Sequence, residues 1–251
     1  MLTALKETFA KKNKMTLIMG IILAAYIILV ALGGTFGNLI NAYNFLGQLG
    51  TASNIIELFI MILASLAFTS SNSRTFLDGL HQKGIAKPVI FIAQLIHMVV
   101  AYLFFMIISV ILTLLLQVTL FKGADMSSMS QFYVAIYANA IHMFIMAALI
   151  IFVLMIFSRI KGRMAAIATG IGVNYVGLAF AWIGFLFVYH HRMLKWEPFN
   201  FLMVENQLVK PINHTLTKLY MNEAITGSII YGIVFLILAF CLFSFRKLRK
   251  P

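Results

Sequence analysis

Side chains that could do chemistry are few in this sequence. Its carboxylates are Glu7, Glu57, Asp78, Asp125, Glu197, Glu205 and Glu223. None of them forms a Glu-Glu or Asp-x-Asp pair, and no His-Glu-x-x-His zinc motif, phosphate-binding Gly-x-x-x-x-Gly-Lys-Ser/Thr loop or serine nucleophile elbow is present. Because catalysis needs such groups to converge on one site, the sequence predicts that this chain is not an enzyme and holds no cofactor itself.

Two of the six histidines fall inside long apolar stretches of the sequence. His97 and His142 are therefore candidates for a substrate path through a membrane, since ionisable residues at such depth are usually functional. The alternative is a neutral imidazole that hydrogen-bonds across a helix interface. His190, His191 and His214 suggest a metal site only weakly, because adjacent residues on a helix point about 100° apart.

Three further polar residues are candidates for the same path. Glu57 lies early in the second apolar stretch, and Asn174 and Tyr175 lie midway along the fifth. For Glu57 the alternative role is a carboxylate at a helix start, stabilised by the helix dipole. For Asn174 and Tyr175 it is a hydrogen bond to a neighbouring helix.

The composition requires a membrane around most of the chain. Of its 251 residues, 62% are hydrophobic and 10% are charged, and the mean hydropathy is +0.99. Soluble domains carry about 25% charged residues, so this composition excludes a soluble enzyme, a disordered chain and a nucleic-acid-binding domain. The net charge of +12 lies in short runs between apolar stretches, as in loops that flank membrane helices. The single Cys241 excludes an internal disulfide.

The spacing of the apolar stretches predicts an all-α, polytopic membrane protein with six transmembrane helices. About 20 apolar residues span a bilayer core, and one transmembrane domain, residues 1–251, holds all the predicted crossings. A short amphipathic helix that contains Leu2, Leu5 and Phe9 is expected to precede them on the inner leaflet. The predicted crossings are residues 15–33, 53–71, 89–119, 132–157, 165–189 and 224–244.

The positive charges predict the orientation of the chain. Fourteen Lys and Arg residues lie in the terminal segments and in the loops after the second and fourth crossings, and five lie in the opposite loops. The positive-inside rule therefore places both termini in the cytoplasm, and we expect a bacterial plasma membrane.

The loop between the second and third crossings contains a short predicted helix, residues 74–83. Phe76, Leu77 and Leu80 form an apolar stripe on it, Gly84 suits its end, and Pro88 suits the start of the next helix. This stripe needs a partner, either the inner leaflet or another protein.

The run from Arg74 to Lys87, followed directly by Pro88 and the third crossing, resembles a loop of ABC-2-type ABC transporter permeases. In that family the loop is a coupling helix that docks into a separate ATPase subunit. Gln94 stands where many members have Lys. The residues that the resemblance assigns to ATPase coupling are Arg74, Thr75, Phe76, Leu77, Leu80, His81, Lys83 and Lys87.

A second loop, residues 190–222, strengthens the resemblance. Its run Trp196, Glu197, Pro198, Phe199 and Asn200 is similar to the Pro-Phe/Leu-Asn stretch of peptide- and drug-exporting members. In those members short outer helices between the fifth and sixth crossings cap the pathway. The resemblance therefore implies an outer cap that includes Trp196, Pro198, Phe199 and Asn200.

The resemblance implies a permease subunit that a separate ATPase drives. ATP and Mg²⁺ would bind that partner, and a second permease chain, identical or related, would complete the path. The low charge inside the membrane favours a hydrophobic or amphipathic cargo, such as a peptide, bacteriocin or drug, exported for immunity or antibiotic resistance. The alternatives are a secondary transporter or channel, which would need intramembrane charges, and an intramembrane protease-like enzyme, which would need paired carboxylates and histidines.

Overall fold

The computed structural model describes residues 1–37, 42–47, 49, 51–68, 71–121, 127–157 and 162–245. Within these residues the chain is helical and contains no strand. Short 3₁₀ helices at Arg192–Trp196, Asn200–Met203 and Pro211–Asn213 accompany the α-helices. The α-helices are α1 (Leu2–Gly37), α2 (Ala42–Gly47), α3 (Ser53–Phe68), α4 (Ser71–Gln82), α5 (Lys87–Leu120), α6 (Ser127–Ile156), α7 (Arg163–His190), α8 (Val204–Val209), α9 (His214–Thr217) and α10 (Met221–Phe245).

Five helices in the described part of the chain are long and apolar enough to cross a membrane: α1, α5, α6, α7 and α10. This confirms a helical membrane protein of the predicted kind. The segment predicted as the second crossing, residues 53–71, differs. It forms α3, which has 16 residues and ends at Phe68, while residues 69–70 lie outside the described part. At 1.5 Å per residue α3 is about 24 Å long, because the polar run Thr69–Ser73 ends its apolar stretch.

The first helix also differs from its prediction. Instead of a separate amphipathic helix before a first crossing, the structure has one continuous helix from Leu2 to Gly37. No Pro or Gly separates the two predicted segments, and Lys is a good helix former, so nothing in the sequence interrupts the hydrogen-bond ladder.

Helix α6 is at the centre of the bundle. Two thirds of its most apolar window is buried, against about a third or less for the other four long helices. It packs against α10, α3 and α8, while α1 packs mainly along α5. The outer faces of α1, α5, α7 and α10 carry exposed apolar side chains such as Ile21, Ile107, Leu186 and Ile237, as expected for lipid-facing surfaces.

The two ends of the bundle differ in structure. At the end that carries α4, Lys83 Nζ lies 2.8 Å from Glu7 Oε1, and Lys87 Nζ donates to the Ser244 carbonyl at 3.0 Å. The first and last described helices therefore begin and end together here. At the opposite end the residues 191–220, which we call the cap, fold over α7 and α10. Several charges used to predict the orientation lie outside the described residues: Lys122, Arg159, Lys161, Arg246, Lys247, Arg249 and Lys250.

Candidate functional site

The α4 helix turns its apolar stripe toward its own bundle. Leu77 and Leu80 are 0% and 1% exposed and belong to the main hydrophobic core. The expectation that the whole stripe needs the inner leaflet or another protein is corrected, because the bundle itself covers these two leucines. The described side chains that α4 and the turn after it expose are Thr75, Gln82 and Lys83.

The other predicted coupling residues hold α4 in place. Phe76 is partly buried, with the Lys11 ammonium 4.5 Å from its ring centroid. His81 Nδ1 lies 3.2 Å from the Ile85 carbonyl, within the turn that leads to α5. The Arg74 side chain lies outside the described part of the structure. Phe76 and Lys83 thus join α4 and the turn after it to α1, while Lys87 joins the start of α5 to the end of α10.

His97 lies in a buried polar cluster between α1 and α5, nearer the α4 end than His142. It makes an edge-to-face contact with Phe9, with ring centroids 5.2 Å apart. One turn before His97, the buried Gln94 accepts a hydrogen bond from Lys12 and donates one to Thr8 Oγ1 at 3.3 Å. The buried Gln94 therefore joins α5 to two polar side chains of α1.

The cap is held by hydrogen bonds among buried polar side chains. Asn200 Nδ2 donates to the carbonyls of Lys195 and Thr217, at 2.8 and 2.9 Å. Thr217 Oγ1 donates to Gln207 Oε1 at 2.7 Å, and Gln207 Nε2 donates to the Leu219 carbonyl at 2.7 Å. These bonds tie the cap together, although the buried Asn200 Oδ1 has no hydrogen-bond partner.

Aromatic packing and one ion pair join the cap to the long helices. Phe199 stacks on Phe180 of α7, with ring centroids 5.4 Å apart. Trp196 is 44% exposed, and its carbonyl accepts a hydrogen bond from the Tyr231 hydroxyl at 2.6 Å. Lys195 Nζ lies 3.0 Å from Glu223 Oε1 at the start of α10. The predicted cap residues Trp196, Phe199 and Asn200 are thus structural anchors, and Pro198 lies half-buried in the turn between two of them.

One carboxyl in the cap titrates unusually. Burial raises the pKa of the Glu197 carboxyl, because desolvation disfavours its charged form. Hydrogen bonds from the backbone amides of Asn200 and Phe199 oppose this shift in part.

Beneath the cap lies a polar cavity of about 290 Å³, between α3, α6 and α8. Glu57 from α3 and His142 from α6 meet in it, with Oε1 and Nε2 3.5 Å apart. Both were predicted as path residues, and the structure brings them together. The polar side chains on its wall include Thr51, Asn54, Glu57, His142, Glu205 and Lys210.

Two atoms of this pair lack a hydrogen bond. Glu57 Oε1 and His142 Nδ1 are both buried and have no partner of hydrogen-bond geometry. His142 is 4% exposed as a residue, and the Glu57 side chain is 12% exposed. Buried groups of this kind are normally satisfied, so the two atoms mark the cavity as a place where a polar ligand would be stabilised.

Sequence reasoning missed three residues at this site. The Tyr102 hydroxyl donates to Asn139 Oδ1 at 3.0 Å, and Asn139 Nδ2 donates to Glu205 Oε1 at 3.5 Å. A signal for Asn139 was present, because it lies three residues before His142 and so on the same face of α6. Nothing in the sequence placed Glu205 beneath the cap rather than on its outside.

Asn174 and Tyr175 do not reach the cavity. Asn174 is buried on α7, one turn before the cavity-lining Leu178, and its Oδ1 has no hydrogen-bond partner. Tyr175 is 63% exposed and points away from the bundle. Of this adjacent pair, only Asn174 faces inward.

The histidines near the cap do not assemble a metal centre. His214 Nδ1 lies 3.0 Å from the Pro211 carbonyl, and His190 packs edge-to-face on Tyr189. Across the described residues, no three His, Cys, Asp or Glu side chains are grouped to hold a metal ion.

Comparison of the chain with the models of known families, with curated proteins and with solved structures finds no match. The functional conclusion therefore rests on the α4 helix, the cap and the cavity themselves.

Proposed function

We propose that this chain is the membrane-spanning permease subunit of an ATP-driven ABC exporter, with ATP hydrolysis on a separate subunit. Helix α4 is the coupling helix, and the cavity beneath the cap is part of the cargo path. The cargo is a hydrophobic or amphipathic peptide or drug, and a second permease chain completes the path. ATP and Mg²⁺ bind the partner ATPase.

The observation that carries this proposal is the placement of α4. It is an independent helix at the bundle end where α1 begins and α10 ends, and buried Leu77 and Leu80 anchor it. Its outward side chains leave a surface that a partner can grip. Phe76 and Lys83 connect α4 and the turn after it to α1, and Lys87 at the start of α5 connects that helix to the end of α10.

The same arrangement supports six crossings with cytoplasmic termini. The start of α1 and the end of α10 both lie near α4, which supports an even number of crossings, and in this proposal α3 is the sixth. Its 16 residues are shorter than a usual span, but most of its central residues are buried by neighbouring helices rather than exposed to lipid. Among the described basic residues, Lys83 and Lys87 lie at the α4 end, where the proposal places the cytoplasm.

Substitution at Gln82 tests the coupling surface. Gln82 is exposed at the end of α4, and Asn222 is an exposed amide at the opposite end of the bundle. We expect Gln82→Trp to reduce co-purification with the ATPase subunit that the proposal requires, and to abolish cargo-stimulated ATP hydrolysis, because the indole blocks docking. The matched Asn222→Trp should retain both. If neither variant changes ATPase binding, or if export proceeds without ATP, the proposal is wrong.

A secondary transporter is the second candidate, and the contact between Glu57 and His142 favours it. A carboxylate and an imidazole beneath a cap are groups that proton-coupled transporters use. Reconstituted vesicles separate the two functions. A proton gradient would drive uptake by a secondary transporter without any nucleotide, whereas the proposed permease requires ATP and its ATPase.

A further inference from the structure

Two carboxylates from different elements converge on the cavity beneath the cap. Glu57 comes from α3 and Glu205 from α8, and both line the same space of about 290 Å³. Lys210 stands on the wall as an exposed residue, so its ammonium is free to extend into water. The two carboxylates carry two formal negative charges, and Lys210 carries one positive charge.

One buried carboxylate oxygen in the cavity lacks a hydrogen-bond donor. Glu57 Oε1 is fully covered and accepts no hydrogen bond, although His142 Nε2 lies 3.5 Å away. A carboxylate oxygen can only accept, so the group that would satisfy it must be a donor. An ammonium or guanidinium group supplies several donors and a positive charge, and charge-assisted bonds of this kind are the strong ones.

A second cavity, which is apolar, is connected to this one by a chain of hydrogen-bonded side chains. It has a volume of about 230 Å³ and lies between α3, α5, α6 and α10, with Ile60, Met98, Phe144 and Leu236 on its wall. Tyr102 also lines it, and its hydroxyl begins the hydrogen-bonded chain through Asn139 to Glu205. The Tyr102–Asn139 pair therefore lies where an apolar space meets an acidic one.

We infer that these two cavities form a binding site for an amphipathic cation, an amine or guanidine carried on an apolar body. The charged group binds between Glu57 and Glu205, and the apolar body occupies the space beside Tyr102. That this cation is the cargo rests on the proposed transport function. The binding site itself can be measured on the isolated chain.

A matched pair of fluorescent probes tests the site. Dansylcadaverine carries a primary amine on an apolar dansyl body, and its N-acetylated form has the same body without the charge. The full-length chain is purified in the uncharged detergent dodecyl maltoside, and dansyl emission is titrated. We expect the amine to bind at least tenfold more tightly than the acetylated form. Equal affinities would overturn the inference without need of any variant.

Three carboxylate variants locate the charge. Glu57→Gln and Glu205→Gln are each expected to weaken amine binding at least tenfold and to leave the acetylated form unchanged. Glu197→Gln removes a carboxylate from the cap outside the cavity and should change neither. Equal loss in all three variants, or loss in none, would contradict the assignment of the charge to Glu57 and Glu205.

One variant tests the apolar part of the site. Ala147 lines the apolar cavity, and Ala147→Leu would fill part of it. This variant should weaken both probes by a similar factor, because the dansyl body is common to them. Unchanged binding of both would show that the apolar body lies elsewhere.

A lipid headgroup could also supply the positive group. Competition with phosphatidylethanolamine distinguishes a headgroup from a cargo amine. If the lipid, added to the micelles at equimolar ratio, displaces the amine, the occupant is a headgroup and the cargo assignment fails. Because these titrations contain no ATPase, their failure leaves the coupling role of α4 standing. Loss of ATPase docking would likewise leave the measured binding site standing.

Discussion

Gly227 of α10 shows how closely the cap fits the long helices. The buried Phe201 ring lies against this glycine so tightly that an added Cβ would overlap it. Ser228, the next residue, donates to the Phe201 carbonyl at 3.2 Å. The close approach of the two segments therefore depends on the absence of a side chain at position 227.

We predict that Gly227→Ala destabilises the protein by about 1–3 kcal/mol, because overpacking a buried contact outweighs the better helix propensity of alanine. Gly172→Ala on α7 is the matched control, since nothing lies within 4 Å of an added Cβ there. Its unfolding temperature should stay the same or rise. Thermal unfolding in detergent, followed by the fluorescence of Trp182 and Trp196, gives the unfolding temperature of both variants. Equal unfolding temperatures would contradict the close packing of Phe201 on Gly227.

Glu57 and His142 form a buried polar pair that costs folding free energy and that a binding function would explain. A buried carboxylate oxygen without a donor is unfavourable by a few kcal/mol in a protein interior. The pair does little for stability in its present geometry, since the two nearest atoms are 3.5 Å apart. Its presence beneath a rigid cap is therefore better explained by binding than by folding.

At the scale of elements, α4 has a buried face with Leu77 and Leu80 and an exposed side with Gln82. We predict that Leu77→Ala lowers the free energy of unfolding by about 2–5 kcal/mol, because it leaves a cavity in the core. Gln82→Ala on the same helix should change it by about 0.5 kcal/mol or less, as at other exposed positions. Chemical denaturation in detergent measures both. A small effect at Leu77 would mean that the bundle does not cover α4.

This distinction also decides which variants can test coupling. A polar substitution at Leu77 or Leu80 would disturb folding and ATPase docking together, so loss of coupling would not identify a contact. Substitutions at the outward Gln82 leave the core intact. The useful positions could not be selected from the sequence, where all members of the stripe look equivalent.

The sequence predicted α4 and the long helices well, because apolar length and period report on burial directly. It did not predict that Leu77 and Leu80 pack on their own bundle, since a stripe does not say which surface covers it. The prediction of a separate amphipathic helix was wrong, because the chain continues as one helix through Lys14. The spacing of the apolar residues before Lys14 does not show whether a helix breaks there. Glu57, His142 and Glu205 lie in one cavity because α3, α6 and α8 pack together. The residue pattern of a single helix does not predict which helices it packs against.

At the scale of the whole molecule, the proposal requires α4 and the cap to lie on opposite sides of a membrane. Five long helices in the described part of the chain and the pairing of α1, α4 and α10 at one end are consistent with this arrangement. Under the positive-inside rule, the excess of basic residues predicts that the α4 end faces the cytoplasm. Orientation is the property on which coupling, cargo entry and cap function all depend.

Thiol labelling in whole cells tests the orientation. Cys241 is the only native cysteine, so Cys241→Ala gives a background without thiols. Ile212→Cys then places a thiol at a 74% exposed position of the cap, and Gln82→Cys places one on α4. A membrane-impermeant maleimide should label the cap variant in intact cells and the α4 variant only after permeabilisation, because the bilayer shields the inner end. Labelling of Gln82→Cys in intact cells would put α4 outside, where no ATPase could reach it, and the proposed transport mechanism would be excluded.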